Sequence, residues 1–452
     1  MTLRGMMRTG WLAALFLFSG AGLLHAESGL RVEQFTLGNG MEVIVIPNHR
    51  VPAVSHMLWF KIGAADDPIG KSGLAHFHEH IMFKGSAKYK SGEYASTIAR
   101  LGGDQNAFTG YDGTSYFVNI AKENLPLVME MEADRVRGLT PSEDDVEKER
   151  QVIIEERRQR VENNPGALLA EQMNAALFRH HPYRRPVIGW MHEMEGLSRQ
   201  DVLDFHKATC NASNAILIVS GDITAAELKP LAEKFYGSLP KATAPVRRWT
   251  QEPPQIAPRH ITMQHANVQQ PEWTRSYAVS SFGSGDAKQV LPLFMLSQLL
   301  GGGKTSKLYR SLVVEQKLAS AVDVDYNGFS IGAAEFAVSA IPEKGVDLKR
   351  LEDAVDAEIA AALKQGFADA DIARAKTLLK AESIYLRDGL TSMARLMGWI
   401  RIAGLEADYL TRWEDMIEAV TAQQILDASR KALDDNASVT GWLLPKEKGE
   451  TP

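Results

Sequence analysis

The sequence predicts an α+β protein built from two tandem, homologous domains. Without a predicted leader about 425 residues remain, a length that suits two domains of roughly 200 residues better than one. A unit in which a helix precedes a strand occurs twice, at residues 198–222 and 421–444. Val202 and Ile425 hold equivalent positions in the two units, 223 residues apart. Such internal self-similarity indicates a duplicated structural unit.

Residues 1–26 have the features of a cleaved secretory signal. Arg4 and Arg8 precede an apolar run at residues 11–24, and Ala26 is an acceptable cleavage point before Glu27. The run is shorter than the roughly 20 residues that span a bilayer, and an uncleaved N-terminal anchor is the alternative. The mature protein is therefore expected in the periplasm, with no stable membrane span.

The composition is that of a soluble globular protein, with 45% hydrophobic and 23% charged residues. A net charge of −6 argues against nucleic acid as a partner and gives no sign of a basic, membrane-binding surface. Cys210 is the only cysteine, so no disulfide can form within the chain. The fold must therefore depend on a hydrophobic core.

The first domain, predicted to span residues 28–245, opens with strand patterns. Apolar and polar residues alternate at residues 32–37 and 41–46, and the Gly-Asn-Gly sequence at residues 38–40 predicts a hairpin turn between them. Residues 54–62 form a third expected strand, which leads into a helix that carries three histidines.

That helix carries the most informative motif in the chain. Ser72 is its expected N-cap. His76 and His80 are four residues apart, so both imidazoles project from one helix face, with Glu79 beside them and His78 pointing elsewhere. The order H-x-x-E-H is the signature of inverted zinc peptidases. The alternative interpretation is a solvated histidine cluster on the surface.

A later helix at residues 143–158 supplies acidic side chains. Ser142 and Asp145 predict a capping box at its start. Four side chains recur at i, i+3, i+4 and i+7 on one face: Glu149, Val152, Ile153 and Glu156. An ionised carboxylate on an apolar face is costly unless it is paired or bound to metal. The alternative is a charged surface helix whose apolar stripe is phased differently; Glu155 is expected to be solvated.

The second domain, predicted to span residues 257–448, follows a proline-rich joint at residues 240–258. No histidine occurs after His265, so this half cannot repeat the metal site. Its counterpart of the histidine helix, at residues 291–300, precedes a Gly-Gly-Gly-Lys-Thr-Ser run. A phosphate-binding loop would need glycine where the chain has Gln298, and the sequence therefore does not predict one.

Taken together, these motifs resemble the inverted zinc peptidase family of pitrilysin, insulin-degrading enzyme and the mitochondrial processing peptidase, in its branch with short subunits. The resemblance covers essentially the whole mature chain and implies a mainly antiparallel sheet covered by helices in each domain. In that family the third zinc ligand is a glutamate some 75 residues after the motif, and 75 residues separate His80 from Glu156. Glu149 matches an acid of the family that supports the metal site. Three further stretches also look familial: residues 102–107, 181–186 and 300–303.

The resemblance implies a role for each of these residues. His76, His80 and Glu156 would bind a Zn²⁺ ion, Glu79 would act as the catalytic base, and Glu149 would orient the site.

Substrate binding is also implied by resemblance. An extended peptide would pair with the strand around Asn106, Ala107 and Phe108. The expected function is therefore zinc-dependent hydrolysis of extended peptides or unfolded polypeptide segments.

One departure from the family concerns an arginine and a tyrosine, spaced R-x6-Y, that family peptidases usually need in a domain facing the zinc. The corresponding positions here are Val313 and Ser320. Since the zinc-bearing and arginine/tyrosine-bearing chains of the short-subunit branch can be different proteins, the expected partner is a homologous arginine/tyrosine-bearing subunit. The alternative is a non-catalytic subunit that holds peptides or supports assembly. A zinc hydrolase acting on other substrates has no support beyond the metal motif.

Overall fold

The structure is a computed structural model that describes residues 30–242, 246–247, 249–250 and 252–446. The predicted signal at residues 1–26 lies outside this part of the chain. Among the described residues, no helix is both long and apolar enough to span a membrane.

The first sheet is six-stranded, and its order is β1-β2-β6-β3-β5-β4. Its strands are β1 (Glu33–Thr36), β2 (Glu42–Pro47), β3 (Ala53–Phe60), β4 (Asp104–Thr109), β5 (Thr114–Ala121) and β6 (Ala215–Gly221). Strand β6 is parallel to β2, whereas every other pairing in the sheet is antiparallel. The predicted hairpin between β1 and β2 forms, and β4 lies at one edge of the sheet.

The second sheet is five-stranded and repeats this topology. Its strands are β7 (Arg259–His265), β8 (Glu272–Val279), β9 (Ala319–Tyr326), β10 (Ala334–Pro342) and β11 (Ser438–Pro445). The order β7-β11-β8-β10-β9 corresponds strand by strand to β2-β6-β3-β5-β4, and the parallel pair falls at the same place, between β7 and β11. The predicted fold class, with two tandem and mainly antiparallel units, is confirmed.

Helices surround both sheets. Those in the first half are α1 (Leu74–Ile81), α2 (Glu93–Arg100), α3 (Leu125–Arg137), α4 (Glu143–Arg157), α5 (Pro165–Leu177), α6 (Met191–Met194), α7 (Arg199–Thr209) and α8 (Ala225–Tyr236). Those in the second half are α9 (Val290–Gly301), α10 (Leu348–Gln365), α11 (Asp369–Asp388), α12 (Leu390–Ile402), α13 (Trp413–Glu418) and α14 (Ala422–Ala432).

Both faces of the first sheet are buried, by helices from different halves. Side chains that point to one face, such as Leu58 and Tyr116, join the core formed with helices of the first half. Side chains that point to the other face, such as Trp59, join a core that extends through the second half. Helix α12 covers this face, and the rings of Trp59 and Trp399 lie 5.0 Å apart.

The two halves exchange helices in a reciprocal manner. Just as α12 packs on β3 and β6, helix α5 of the first half packs on β7 and β11 of the second sheet. Each contact includes a glycine that permits close approach. A Cβ at Gly398 would lie 2.0 Å from Trp59, and one at Gly441 would lie 2.2 Å from Met173. The two sheets are therefore joined through a shared set of helices, and α1 lies between β4, α4 and α7.

Candidate metal centre

The start of α1 is held by Asp67. The Asp67 carboxylate accepts hydrogen bonds from the backbone N–H groups of Gly73 and Ala75, both at 2.8 Å. Burial raises the pKa of Asp67 to about 8, while these two hydrogen bonds oppose the rise. The prediction that Ser72 caps this helix is wrong: its hydroxyl accepts from the backbone N–H of Trp190 at 2.9 Å instead. The N-terminus of the motif helix is thus fixed by a side chain six residues before Gly73.

The structure brings His76, His80 and Glu156 together from α1 and α4. The carboxylate Oε2 of Glu156 lies 3.4 Å from Nε2 of His80 and 3.8 Å from Nε2 of His76. One potential ligand atom from each residue lies within 4.8 Å of the other two. Atoms bound to one zinc ion at about 2.0 to 2.2 Å lie roughly 3.3 Å apart, so this arrangement is close to a coordination sphere.

This donor set fits zinc. Two imidazoles and one carboxylate leave a fourth tetrahedral position open, as in catalytic rather than structural sites. Burial lowers the pKa of His76 to about 4, so this imidazole is neutral at pH 7 and its lone pair is available to a metal ion. For Glu156, burial raises the pKa, but the hydrogen bond from His80 and the charge of Arg160 help to bring it below the ordinary value. The carboxylate is therefore ionised.

The buried face of α4 is phased differently from the prediction. Val152 is 49% exposed, whereas the buried positions of this helix are Val146, Glu149, Ile153, Ile154 and Arg157. Burial of Arg157 is possible because its guanidinium pairs with Glu171 and donates to the carbonyl of Gly189. Glu156 consequently lies at the border of the buried face, turned toward the histidines. Glu155 is exposed, as expected.

Glu149 contacts His80 on the side away from Glu156. Its Oε1 lies 2.9 Å from His80 Nδ1, and its Oε2 lies 2.5 Å from Nζ of Lys84. Because a carboxylate can only accept, both ring nitrogens of His80 donate, Nδ1 to Glu149 and Nε2 toward Glu156. Burial lowers the pKa of His80, but the hydrogen bonds with the two carboxylates outweigh it and raise the pKa to about 9. A bound metal ion would displace the proton on Nε2 and leave the one on Nδ1. Burial raises the pKa of Glu149, but the hydrogen bonds with His80 and Lys84 outweigh it and hold the pKa below its ordinary value.

Glu79 is buried next to the two histidines and is held by β4. The hydroxyl of Thr109, at the end of that strand, donates to Glu79 Oε2 at 2.5 Å. Burial raises the pKa of Glu79 to about 7, although the hydrogen bond from Thr109 opposes the rise. Thr109, Lys84 and Arg160 were not predicted as site residues, because no sequence pattern places these side chains beside the motif.

The predicted substrate-binding residues Asn106, Ala107 and Phe108 lie on β4. This strand pairs with β5 on one side and ends the sheet order on the other, within the described residues. The Asn106 carboxamide oxygen accepts from the backbone N–H of Ala107 at 2.8 Å. The ring of Phe108 instead faces α12, where it packs at 6.0 Å from Trp399 and lies beneath the guanidinium of Arg395.

Val313 and Ser320 lie in the second half. Val313 belongs to a π-helical segment, Tyr309–Glu315, and packs partly buried against the core. Ser320 lies in the edge strand β9, where its hydroxyl is 3.4 Å from the carbonyl of Pro342. Neither side chain offers a cationic or phenolic donor.

Comparisons with known proteins agree with this architecture. A family model described as insulinase, peptidase family M16, matches residues 42–190, and one described as the peptidase M16 inactive domain matches residues 196–379. The zinc protease PqqE of Helicobacter pylori is 30% identical over 449 residues, which cover 96% of this chain and 98% of that protein. The chain belongs to peptidase family M16. The resemblance to the inverted zinc peptidases is confirmed.

Other M16 proteins align over most of this chain as well. The β subunit of the mitochondrial processing peptidase of Neurospora crassa is 23% identical, over 92% of this chain and 88% of that subunit. Among solved structures, a protease from Helicobacter pylori superposes with a TM-score of 0.86 and 27% identity, over 92% of this chain and all of that one. The first half of the periplasmic protease PqqL from Escherichia coli has a TM-score of 0.76 at 19% identity, over 91% of this chain and 92% of that one, and shows the shared fold.

Proposed function

We propose that this M16 chain is a zinc metallopeptidase that hydrolyses extended peptides or unfolded polypeptide segments. One observation carries the proposal: His76 and His80 from one helix and Glu156 from another meet with their potential ligand atoms within 4.8 Å, next to a buried Glu79. These residues would hold a Zn²⁺ ion. When bound, the ion would supply Lewis-acid activation of water and of the peptide carbonyl.

Glu79 is the proposed proton-transfer residue. It would accept a proton from the attacking water and later donate it to the leaving amine, a role worth about 10² to 10⁴ in rate. A pKa of about 7, which burial produces, suits a group that must accept and release a proton at neutral pH. The hydroxyl of Thr109 donates to Oε2 of Glu79, which would leave Oε1 for the proton transfer.

Strand β4 is the proposed binding edge for the peptide. A substrate backbone paired with the free edge at Asn106, Ala107 and Phe108 would extend the sheet. This mode of binding depends little on the side chains of the substrate. Thr109 follows directly on the same strand and contacts Glu79, so a peptide paired with β4 would lie beside the proton-transfer residue. This supports extended chains rather than folded proteins as substrates.

The proposed assembly is a heterodimer in the periplasm with a homologous subunit that bears the arginine and tyrosine. Val313 and Ser320 support it, because neither can donate a charged or phenolic hydrogen bond to a substrate carbonyl. The same two residues favour a second candidate function, that of a peptide-holding subunit without catalytic activity.

Two substitutions test the metal site and the base separately. Glu79→Gln should keep bound zinc and abolish hydrolysis of a quenched fluorescent peptide; near-normal turnover would remove Glu79 as the base. Glu156→Gln should lose most of the zinc, measured by elemental analysis, because an amide is a poor ligand. Glu155→Gln is the matched control, since the neighbouring residue is exposed, and zinc loss in this control instead would contradict the assignment.

A co-expression experiment tests the assembly. The chain with a homologous arginine/tyrosine-bearing partner should hydrolyse the peptide faster than the chain alone. Full activity from the purified single chain would refute the heterodimer. Bound zinc with no hydrolysis in either preparation, together with peptide binding, would favour the peptide-holding role.

A further inference from the structure

A second cluster of potential metal ligands lies on the opposite side of α1. His78, on α1, lies close to His206 and Cys210. His206 is near the end of α7, and Cys210 is the first residue after that helix. The Nε2 atom of His78 lies 3.0 Å from Nδ1 of His206 and 3.7 Å from Sγ of Cys210. All three side chains are buried, so the cluster is separate from the solvent-facing site formed by the other two histidines of the motif.

Hydrogen bonding directs one lone pair into this cluster. Nε2 of His206 lies 3.0 Å from the backbone carbonyl oxygen of Val136. A carbonyl can only accept, so Nε2 of His206 carries the proton and Nδ1 presents its lone pair to His78. Histidines that bind metals commonly donate their second N–H to a carbonyl or carboxylate in this way.

The separations suit a shared ion. Two imidazole nitrogens and a thiolate sulfur bound at about 2.0 and 2.3 Å lie roughly 3.3 to 3.7 Å apart. The two distances from His78 Nε2, 3.0 and 3.7 Å, are near this range, and the remaining pair of ligand atoms lies within 4.8 Å. An ion would therefore require only small movements of these side chains.

Charge determines which ion the cluster suits. Among the described residues, the ligand cluster contains no carboxylate, so a thiolate would supply its only negative charge. The charge of Arg135 acts on both His78 and Cys210, but this guanidinium pairs with Glu132 in the core. A divalent ion would leave a buried net charge of about +1, whereas a monovalent ion would leave none, and uncompensated buried charge is costly.

We propose that His78, His206 and Cys210 form a second metal site that binds one Cu(I) ion in three-coordinate geometry. Thiolate and imidazole are ligands that this soft ion prefers, whereas the carboxylate-containing site on the other side of α1 suits zinc. Burial raises the pKa of the Cys210 thiol to about 12, so the thiolate forms only with a cation beside it. On binding, one sulfur–copper bond and two nitrogen–copper bonds form, and the thiol proton leaves to solvent. The proton that His78 Nε2 donates to His206 Nδ1 moves to Nδ1 of His78, which stays neutral. No electron is transferred.

Anaerobic titration of the chelator-treated full chain with Cu(I), in competition with a chromogenic copper chelator, tests the proposal. The wild type should take up one copper ion more than Cys210→Ser, and His206→Gln should lose the same equivalent. His192→Gln is the matched control for adventitious binding, because that side chain is 79% exposed, and it should bind copper as the wild type does. A His76→Ala, His80→Ala double variant should also retain the copper.

X-ray absorption of the copper-loaded wild type gives a result that does not depend on whether any variant folds. The expected shell contains one sulfur and two nitrogen neighbours. A shell without sulfur, equal copper uptake by Cys210→Ser, or zinc in place of copper at the site would overturn the proposal. In those cases the three residues form only a hydrogen-bonded cluster or a site for another ion. None of these results bears on the zinc peptidase function, which is tested separately by peptide hydrolysis.

Discussion

The contact between Glu149 and His80 predicts how strongly a residue outside the ligand set controls the metal. Glu149 is 7% exposed, and its Oε1 lies 2.9 Å from His80 Nδ1. Substitution by alanine removes the acceptor that fixes the imidazole tautomer and ring orientation. The substituted protein retains every proposed ligand, so a loss of zinc affinity would reflect positioning alone.

The expected magnitude follows from the type of hydrogen bond. Loss of such a supporting partner typically costs 10-fold to 100-fold in metal affinity, which corresponds to about 1.4 to 2.7 kcal/mol. Glu149→Gln should cost less than Glu149→Ala, because an amide oxygen still accepts from His80 Nδ1 and only the charge is lost. Hydrogen bonds to charged groups contribute about 1.5 to 3 kcal/mol and neutral ones about 0.5 to 1.5 kcal/mol.

The assay is competition for zinc against a chromophoric chelator, with the Tm recorded for each variant to exclude unfolding. Lys84→Met is the matched control, because it removes the second partner of Glu149, at 2.5 Å, and leaves the contact with His80 intact. It should weaken zinc binding less than Glu149→Ala does. Wild-type zinc affinity in Glu149→Ala would refute the positioning argument.

Three further perturbations have defined outcomes. Thr109→Val should lower kcat about 10-fold at unchanged zinc content, because a hydrogen bond to a charged group such as Glu79 contributes about 1.5 kcal/mol or more; an unchanged kcat would contradict it. Gly110→Ala should lower the free energy of unfolding by about 1 to 3 kcal/mol, since a Cβ there would lie 2.5 Å from Trp399. Gly38→Ala, with nothing within 4 Å, should unfold in denaturant like the wild type. Removal of the bound zinc with a chelator should lower the Tm and abolish peptide hydrolysis, and added zinc should restore the Tm and the activity.

Much of the fold was predictable because its signals are local. Alternation between apolar and polar residues marked β1 and β2, and the capping box of Ser142 and Asp145 marked the start of α4. The spacing of His76 and His80 placed both rings on one helix face, and the rings do lie side by side, 4.8 Å apart. Each of these inferences needs only the geometry of a single helix or hairpin.

The predictions were wrong where contacts between distant segments of the chain determine the local structure. Ser72 had the right residue type for a cap, but the loop before α1 folds back so that Asp67 reaches the free N–H groups first. Val152 was placed on the buried face of α4 because hydrophobicity alone set the phase. Arg157 in fact occupies that face, because Glu171 neutralises its charge. A buried ion pair produces no apolar pattern in the sequence, so its burial could not be predicted.

The candidate metal centre could be predicted only in part from the sequence. The pairing of Glu156 with the histidines came from a family resemblance rather than from any local pattern. Thr109 and Lys84 contact Glu79 and Glu149 through tertiary packing, so nothing near them in sequence indicates a role.

The exchange of helices between the halves explains why a domain without the metal motif accompanies the domain that has it. The face of the first sheet opposite α1 carries Ile44, Trp59 and Ile216, and all three are fully buried by packing that includes α12. Without that helix, each of these side chains would lose about 1.5 to 3 kcal/mol of stabilisation from burial. Summed over the three, this loss is a large part of the stability of a domain. Strand β4 depends on the same helix, since Phe108 packs against Trp399 while Thr109, the next residue, holds Glu79. The second half therefore sets the position of the proposed peptide-binding edge relative to the proton-transfer residue, although it contributes no metal ligand.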